Sequence, residues 1–365
     1  MSEWQTFYLK DLVKIFGGST PPTNNPKNYG NKIRWITAKD LSTLQGRYIK
    51  KGSRSISRLG FKSCSTFLLP KHAILFSVRA PIGYTAIISK RSCTDRGLMG
   101  LVPNKKIYFE FLYYLLKYHK NNISNMGVGT TFKGISKPAL GLFKLKIPPT
   151  YYEQQKIART LSILDQKIEN NHKINELLHT LAYKIYGYYF KYKPKNAKLE
   201  QIIIENPKSS IMVKNAQKTQ DKYPFFTSGD NILSYPKAII DGRNCFLNTG
   251  GNAGIKFYVG KASYSTDTWC ICANEFSDYL YLLLSNIKTH INQSFFQGTS
   301  LKHLQKNLLK KYPIYMPSAH EIKKFNQIIM PLLTLISINT RTSKKLEQIR
   351  DFLLPLLLKQ QVKPQ

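Results

Sequence analysis

The chain has 365 residues, of which 42% are apolar, and it carries a formal net charge of +35. This length and apolar content are enough for roughly two or three domains with real cores, so wholesale disorder is excluded. Solubility alone needs a net charge of only about 2–8. The excess indicates a polyanionic partner, either nucleic acid or an anionic membrane surface; a Lys-rich proteome of AT-rich coding sequence is the alternative source of the charge.

The start of the chain, "MSEWQTFYLKDL", lacks the basic segment and apolar run of a signal peptide. The longest apolar stretches, such as "IIMPLLTLISI", are too short to span a bilayer, so we expect a cytoplasmic protein without a membrane partner. Cys270 and Cys272 form a C-x-C rather than the C-x-x-C of a zinc site. Free thiols in a reducing compartment are the expected state of all five cysteines, Cys64, Cys93, Cys245, Cys270 and Cys272.

In chain order, residues 1–150 are predicted to form a first globular lobe. The segment "HAILFSVRAPIGYTAII" (72–88) alternates in polarity around a Pro–Gly turn, which predicts two strands. "YFEFLYYLLKYHKNNI" (108–123) has the spacing of an aromatic-rich helix, and "KLKIPP" (144–149) predicts a short strand that ends at proline. Strands and helices that interleave in this way are typical of mixed α+β or α/β lobes.

Three segments of this lobe are candidates for contact with DNA. Lysine and arginine neutralise phosphates and also read guanine edges, and the run Gly46–Ser63 carries such side chains with almost no acid; a solvated loop is the alternative. Arg79 precedes the turn at Pro81–Gly83, so we expect the turn to present Arg79 to a groove. The alternative is that Arg79 is a structural arginine. The Gly- and Thr-rich segment Gly127–Lys137 suits phosphate contacts. The candidates are Arg47, Lys50, Lys51, Arg54, Arg58, Lys62, Arg79, Thr130, Thr131 and Lys133.

Residues 151–192 are predicted to form one long helix in the middle of the chain. Apolar residues recur there at steps of four and three, which is the heptad pattern of a coiled coil. Two asparagines interrupt this seam at its centre. The seam positions are Ile157, Leu161, Leu164, Ile168, Asn171, Asn175, Leu178, Ala182, Ile185 and Tyr189.

Residues 193–318 are predicted to form a second lobe, and residues 319–360 a C-terminal helix. Asn pairs with adenine and Lys neutralises phosphate, so such side chains are the candidates for contact with DNA in the second lobe. They are Lys214, Lys218, Lys222, Asn231, Asn252, Lys256, Thr299 and Lys302. The C-terminal helix repeats the heptad seam with Arg350 inside it, and we expect Pro331 and Pro355 to kink or shorten the helix.

The chain repeats itself. "FEFLYYLLK", which begins at Phe109, resembles "SDYLYLLLS", which begins at Ser277, 168 positions later. At the same offset "PTYYEQQKIARTL" resembles "PSAHEIKKFNQII", which aligns Glu153 with Glu321. "WITAKD" (35–40) matches "FFTSGD" (225–230) more loosely. Each half is therefore predicted to be a globular lobe followed by a long helix.

The polar centres of the two seams predict how the helices pair. If the helices run antiparallel, Asn171 faces Ser343 and Asn175 faces Asn339. Such a polar layer lowers stability but fixes register and orientation; the alternative is that each helix packs separately on its own lobe. As a rod of roughly 55 Å, the pair would act as a ruler between two lobes that each enter a DNA groove. Removing one heptad from each helix should then shorten the distance between the two grooves that the lobes enter.

Motifs of enzymatic chemistry are absent from the sequence. The Pro-Pro pairs in "STPPT" and "KIPPT" lack the flanking residues of the loop by which amino-methyltransferases hold a flipped base. "FGGST" and "NTGGNAG" do not form a GxGxxG fingerprint, no GxxxxGK[ST] sequence occurs, and the histidines show no metal-ligand spacing. We therefore expect a non-catalytic chain without a metal. The rival hypotheses are a self-contained DNA methyltransferase or nuclease, and a basic protein that binds an anionic surface.

Several segments resemble the specificity subunit of Type I restriction–modification enzymes, namely "IRWITAKDL", "ILFSVRAPIGYTAI", "GTTFKGISKPALGLFKLKIPP" and "EQQKIARTLSILDQKIENNHKINELL". The resemblance covers the whole chain, closely in the first half and with a more diverged lobe in the second. It implies two target recognition domains that each read one half of a split, asymmetric site in double-stranded DNA. The two long helices, as an antiparallel coiled coil, would set the gap between the halves.

The resemblance also implies partners. The long helices would bind two modification subunits, which carry S-adenosylmethionine and methylate adenine. Restriction subunits, which use ATP and Mg²⁺ and cut DNA, would join that core, so no cofactor is expected in this chain. The implied partner-binding residues are Glu153, Gln154 and Lys156 at the start of the central helix and Glu321 at the equivalent position of the second.

Overall fold

A computed structural model of the chain describes residues 3–79, 81–129, 133–216 and 222–364. Contacts divide the chain into two units. Unit 1 comprises Met1–Asn170 with Lys345–Gln365, and unit 2 comprises Asn171–Lys344. The predicted lobe 1–150 therefore lies in unit 1 and the predicted lobe 193–318 in unit 2. Each unit also includes a part of each long helix.

Unit 1 interleaves short strands and helices. Its strands are β1 (Gln5–Tyr8), β2 (Val13–Gly17), β3 (Tyr29–Ile36), β4 (Tyr48–Ile49), β5 (Arg54–Ile56), β6 (Ile74–Ser77), β7 (Thr85–Ile88), β8 (Cys93–Thr94), β9 (Leu98–Pro103) and β10 (Lys144–Ile147). Its α-helices are α1 (Leu9–Leu12), α2 (Ala38–Ser42), α3 (Arg58–Lys62), α4 (Phe109–Tyr118), α5 (Lys120–Asn125), α6 (Lys137–Gly141) and the first part of α7 (Tyr151–Phe190).

The strands of unit 1 pair in the orders β2-β9-β6-β7-β4, β5-β3-β8 and β1-β10. Strand β6 lies between β9 and β7, and all of its residues are buried because both of its edges and both of its faces are covered. The antiparallel pair β6–β7 is the hairpin that the alternating segment predicts. Helix α4 packs its Phe111 and Leu112 into the same core as Ile74 of β6 and Leu161 of α7, so the lobe and the long helix share one core.

Unit 2 repeats this plan. Its strands are β11 (Ala197–Lys198), β12 (Ile204–Glu205), β13 (Tyr223–Phe226), β14 (Leu233–Tyr235), β15 (Arg243–Asn248), β16 (Ile255–Val259), β17 (Ser263–Tyr264), β18 (Thr268–Cys272), β19 (Phe296–Gln297), β20 (His303–Leu304) and β21 (Pro313–Ile314). Its α-helices are α8 (Val213–Ala216), α9 (Ser277–Asn286), α10 (Lys288–Ser294), α11 (Lys306–Lys310) and the first part of α12 (Ala319–Leu358). Short 3₁₀ turns occur at Pro26–Asn28, Leu199–Gln201 and Asn274–Phe276.

The sheet orders show the duplication directly. The order β12-β18-β15-β16 repeats β2-β9-β6-β7, and β14-β13-β17 repeats β5-β3-β8. The pair β11-β21 repeats β1-β10, which in each unit closes the lobe just before the long helix begins. The predicted fold class, two mixed α+β lobes with a long helix after each, is confirmed.

Both long helices are continuous. Helix α7 covers Tyr151–Phe190 and α12 covers Ala319–Leu358, so neither Pro331 nor Pro355, which the sequence predicts to kink or shorten the second helix, ends it. A proline inside a helix costs about 3 kcal/mol through its lost hydrogen bond and its clash with the preceding turn. The apolar seam of α12, with Phe325, Ile329 and Leu357 all buried, outweighs that cost.

Within unit 2 the two helices pair antiparallel through a polar layer. Asn171 donates its side-chain amide to the Ser343 hydroxyl at 3.2 Å, and Asn339 donates to the Asn175 carbonyl oxygen at 2.9 Å. These are the two pairs that the sequence predicts for an antiparallel register. Asn175 also donates to the Thr340 hydroxyl at 3.4 Å, so the amides at the centre of the seam are hydrogen-bonded across the pair.

Within unit 1 the seam contains a buried ion pair. The Arg350 guanidinium donates to the Asp165 carboxylate at 2.6 Å, and Asp165 also accepts from the Tyr114 hydroxyl of α4 at 2.6 Å. Asp165 is buried. Arg350, which is out of place in an apolar seam by sequence, is therefore one half of a pair that joins α12, α7 and the lobe. Removing one partner of a buried pair of this kind costs about 3–5 kcal/mol.

Candidate nucleic-acid interface

The basic run of unit 1 is exposed over most of its length. Lys50 and Lys51 follow β4, Arg54 opens β5, and Arg58 and Lys62 lie on α3. All five side chains are exposed. Ser57 caps the N-terminus of α3, since its hydroxyl accepts from the Gly60 amide at 3.0 Å, and this cap fixes where the helix begins. The run thus offers five cations on one continuous segment of backbone.

The loop between Lys51 and Arg54 is held against the lobe. The Ser53 amide donates to the Asp40 carboxylate at 2.8 Å, and a Cβ at Gly52 would lie 2.3 Å from the Trp35 carbonyl oxygen. Only glycine allows this approach of two backbones. Burial opposes ionisation of Asp40, but hydrogen bonds from the Thr37 and Ser53 amides outweigh burial and lower its pKa. The loop therefore presents Lys50, Lys51 and Arg54 from a fixed backbone.

Arg47 requires a correction. Its side chain is buried, with 5% of the residue exposed. Its Nε donates to Glu169 of α7 at 3.1 Å and its Nη1 to Glu110 of α4 at 3.2 Å. Both carboxylates belong to the same unit and already neutralise the guanidinium, so Arg47 is a structural residue rather than a DNA contact.

Arg79 and Lys133 come together at the second candidate surface. Arg79 forms a backbone bridge with Gly134, and the Ile135 amide donates to the Val78 carbonyl at 2.9 Å. Both cationic side chains are exposed. Thr130 and Thr131 lie outside the described residues. The turn after β6 and the Gly-rich segment are thus neighbouring parts of one surface, although 54 positions separate Arg79 from Lys133.

Unit 2 builds the equivalent surface. Gly250 forms a backbone bridge with His303, the Gly251 amide donates to the Lys302 carbonyl at 2.9 Å, and the Leu304 amide donates to Thr249 at 3.0 Å. The same two segments meet as in unit 1, with Lys302 in the place of Lys133. The exposed candidates here are Asn252, Thr299 and Lys302.

The remaining candidates of unit 2 differ in their surroundings. Lys214, Lys222 and Asn231 are exposed, and Lys218 lies outside the described residues. Lys256 requires a correction, because its ammonium donates to the Thr227 carbonyl at 2.8 Å and to Asn248 at 3.3 Å. Burial lowers the pKa of Lys256. This lysine joins β16 to its neighbours and is not presented to a ligand.

Sequence reasoning missed two residues of these surfaces. His303 is exposed at the backbone bridge of unit 2. The Lys120 side chain packs over the hairpin turn of unit 1. A Cβ at Gly83 would lie 2.5 Å from the Lys120 Cγ, and the Lys120 ammonium lies 5.6 Å from the centre of the Tyr84 ring. No local pattern marks either residue. Alignment of the two halves at "GTTFKG" and "GTSLKH" would have pointed to His303.

Two of the predicted partner-binding residues, Gln154 and Glu321, form hydrogen bonds inside their own units, close to where the long helices begin. Gln154 is 1% exposed, accepts from the Tyr108 amide at 2.8 Å and donates to the Lys106 carbonyl at 3.0 Å, so its prediction as a partner contact is corrected. Glu321 caps α12 by accepting from the Ser318 amide at 3.0 Å and the Tyr315 hydroxyl at 2.7 Å. These bonds lower the pKa of Glu321 to about 2. Glu153 and Lys156 are half-buried.

Two further observations apply to the described part of the chain. None of its helices is long and apolar enough to cross a membrane. None of its His, Cys, Asp and Glu side chains form a group of three or more that could hold a metal ion.

Comparisons with known proteins identify the family. The family model described as Type I restriction modification DNA specificity domain matches residues 1–180 and 195–348. The Type I restriction enzyme MjaIX specificity subunit of Methanocaldococcus jannaschii is 28% identical and aligns over 98% of this chain and 93% of its own length. The putative MjaX specificity subunit of the same organism is 31% identical over 50% of this chain and 41% of its own length.

A solved structure has the same fold. The crystal structure of the S subunit of a Type I restriction–modification system from M. genitalium superposes with a TM-score of 0.64 at 17% identity, covering 98% of this chain and 96% of that one. The chain therefore belongs to the Type I restriction–modification DNA specificity family, with two copies of the family domain in tandem. The resemblance stated from the sequence is confirmed.

Proposed function

We propose that the chain is the DNA-reading subunit of a Type I restriction–modification complex. Each lobe reads one half of a bipartite, asymmetric duplex site, and the paired helices set the gap between the halves. The observation that carries this proposal is the duplication: two family domains whose equivalent loops expose Lys133 in one unit and Lys302 in the other. Two diverged copies of one surface suit two different half-sites. The net charge of +35 supports binding to a polyanion.

In this proposal the chain supplies recognition and its partners supply chemistry. Modification subunits bind S-adenosylmethionine and methylate adenine, and restriction subunits use ATP and Mg²⁺ to cut. The complex works in the cytoplasm. Support comes from the relatives, which are named as specificity subunits of restriction enzymes.

The modification subunits dock on one side of the helix pair. On that side unit 2 exposes Ile174, Leu177 and Leu181 of α7 and Leu335 and Ile338 of α12. Residues that flank the seam on the other side, such as Tyr186 and Leu333, are buried in the core of the unit. Unit 1 exposes a smaller patch of the same kind, formed by Ile163, Ile349 and Phe352. Two apolar patches accommodate two modification subunits, one for each unit.

A modified-base map of the source genome tests the proposal. Deleting the gene for this chain is expected to abolish N6-methyladenine at one split motif while all other methylated motifs persist. Re-expression restores the same motif, which gives the two half-sites and the gap. If every methylated motif survives the deletion, and the chain purifies without a methyltransferase subunit, the proposal fails.

Lys50→Ala combined with Lys51→Ala is expected to weaken binding to specific and unrelated duplexes alike. Each phosphate contact contributes about 0.9 to the slope of log K against log salt, so the slope should fall by roughly two. The measurement is a titration of labelled duplex at several salt concentrations. Lys105→Ala with Lys106→Ala, which removes two exposed cations elsewhere in the same unit, is the matched control. An unchanged slope in the Lys50 and Lys51 variant removes this loop from the interface.

A further inference from the structure

Unit 1 contains a buried clamp that fastens the lobe to a long helix. Arg47 directly precedes β4. It donates one hydrogen bond to Glu110, in the first turn of α4, and another to Glu169 of α7. The backbone amide of Arg47 adds a second bond to Glu169 at 2.8 Å. Glu110 also accepts from the Tyr48 hydroxyl at 2.6 Å and the Tyr108 hydroxyl at 2.9 Å. Both Glu110 oxygens and three Arg47 donors are therefore engaged inside the unit.

Unit 2 contains a clamp of the same kind. Arg243, the first residue of β15, forms a two-pronged ion pair with Asp278 in the first turn of α9. Its Nη1 donates to the Thr334 hydroxyl of α12 at 3.0 Å and its Nη2 to the Met330 carbonyl at 3.2 Å. Asp278 is 1% exposed. Here too one arginine connects a lobe carboxylate with a long helix.

The two clamps share the carboxylate but not the arginine. Glu110 and Asp278 occupy the same position of the repeat, 168 residues apart. Arg47 precedes a sheet-edge strand, whereas Arg243 begins β15, the counterpart of the central strand β6. Each half nevertheless has an arginine that links the lobe carboxylate to the long helix. The two units therefore make the same link from different positions of the repeat.

We infer that Arg47 and Arg243 are positioning residues, which fix the angle of each lobe on its helix and thereby the gap that the complex accepts between half-sites. The inference rests on the proposed function. Apolar contacts between lobe and helix have no preferred direction, whereas a forked guanidinium between two carboxylates, or between a carboxylate and a backbone carbonyl, has a fixed geometry. A lobe without its clamp would still read its bases but would accept them over a wider range of positions.

The test measures adenine methylation by the complete complex on duplexes that keep both half-sites and vary the gap by one base pair. Arg47→Met is expected to lower the preference for the native gap over its neighbours by about tenfold or more, since an error of about 1 Å in placing reacting groups costs up to about 100-fold in rate. Arg47→Lys, which keeps the charge but not the fork, should fall between wild type and Arg47→Met. Arg243→Met should act in the same way. The bases required within each half-site should not change.

The controls separate positioning from folding. Arg54→Met removes an exposed arginine of the same lobe and should weaken binding without changing the gap preference. Arg47→Met with Glu110→Gln and Glu169→Gln leaves no unpaired buried charge, so a folded variant without the clamp is available if the single variant unfolds. Partial unfolding lowers the rate at every gap equally. A wild-type gap preference in the folded variants overturns the inference, whereas a wild-type complex that modifies no split site refutes the proposed function instead.

Discussion

Lengthening both long helices by one heptad is expected to move modification to a new motif, with the same half-sites and a gap wider by roughly three base pairs. One heptad adds about 10 Å of helix, and base pairs stack about 3.4 Å apart. The insertion points are the unit boundaries, between Asn170 and Asn171 in α7 and between Lys344 and Lys345 in α12. Insertion at these points adds no residue inside either unit. Seven residues are two repeats of the 3.5-residue seam, so the apolar residues before and after the insertion stay on the same face of the helix.

The modified-base map of a strain that carries the lengthened chain measures this effect. Methylation at the native motif should disappear, because the gap no longer fits, and the wider motif should replace it. The control is the same insertion in α7 alone, after which the Asn171–Ser343 pair of unit 2 and the Asp165–Arg350 pair of unit 1 cannot both form; it should abolish modification at any gap. If the doubly lengthened chain still modifies the native motif, the helices do not set the gap.

Local patterns were enough to predict the architecture of this chain. The heptad seam and its two central asparagines gave the antiparallel register, because a seam depends only on which residues recur on one face of a helix. The repeat between "FEFLYYLLK" and "SDYLYLLLS" gave the two lobes. Pro331 shows the limit of such patterns. Its local preference against helix is real, but the buried seam on both sides of it, including Ile329 and Ile336, decides the outcome.

The roles of single polar residues were harder to predict. Arg47 and Lys50 lie in one basic run, yet Arg47 is buried against Glu169, which is 122 positions away, while Lys50 is exposed. Lys256 and Gln154 were misassigned for the same reason, since their partners Thr227 and Tyr108 come from other strands and loops. Whether a charged or amide group is free for a ligand depends on contacts that fold back from distant segments, and a single sequence carries no record of them.

The other large effect is expected when the exposed apolar residues on one side of the helix pair are replaced by acidic ones. Leu177→Asp combined with Leu181→Asp should leave the chain folded, because the two leucines are 70% and 46% exposed and exposed substitutions change stability by less than about 0.5 kcal/mol. It should remove one modification subunit from the complex. A hot-spot residue of an interface costs about 2 kcal/mol or more when it is removed, so if Leu177 and Leu181 form the hot spot of this patch, the loss of both weakens binding roughly 1000-fold.

The measurement is the mass of the complex that co-purifies with the tagged chain, together with duplex binding by the chain alone. Adding Phe352→Asp, which places a carboxylate in the apolar patch of unit 1, should remove the second modification subunit, while duplex binding by the free chain stays unchanged. Thr289→Asp with Gln293→Asp places two carboxylates with the same spacing on the exposed face of α10, away from the helix pair, and should leave the complex whole. If that control and the leucine variant lose the subunit equally, added charge rather than the loss of an apolar contact is responsible. If the leucine variant keeps both subunits, the docking side lies elsewhere on the helix pair.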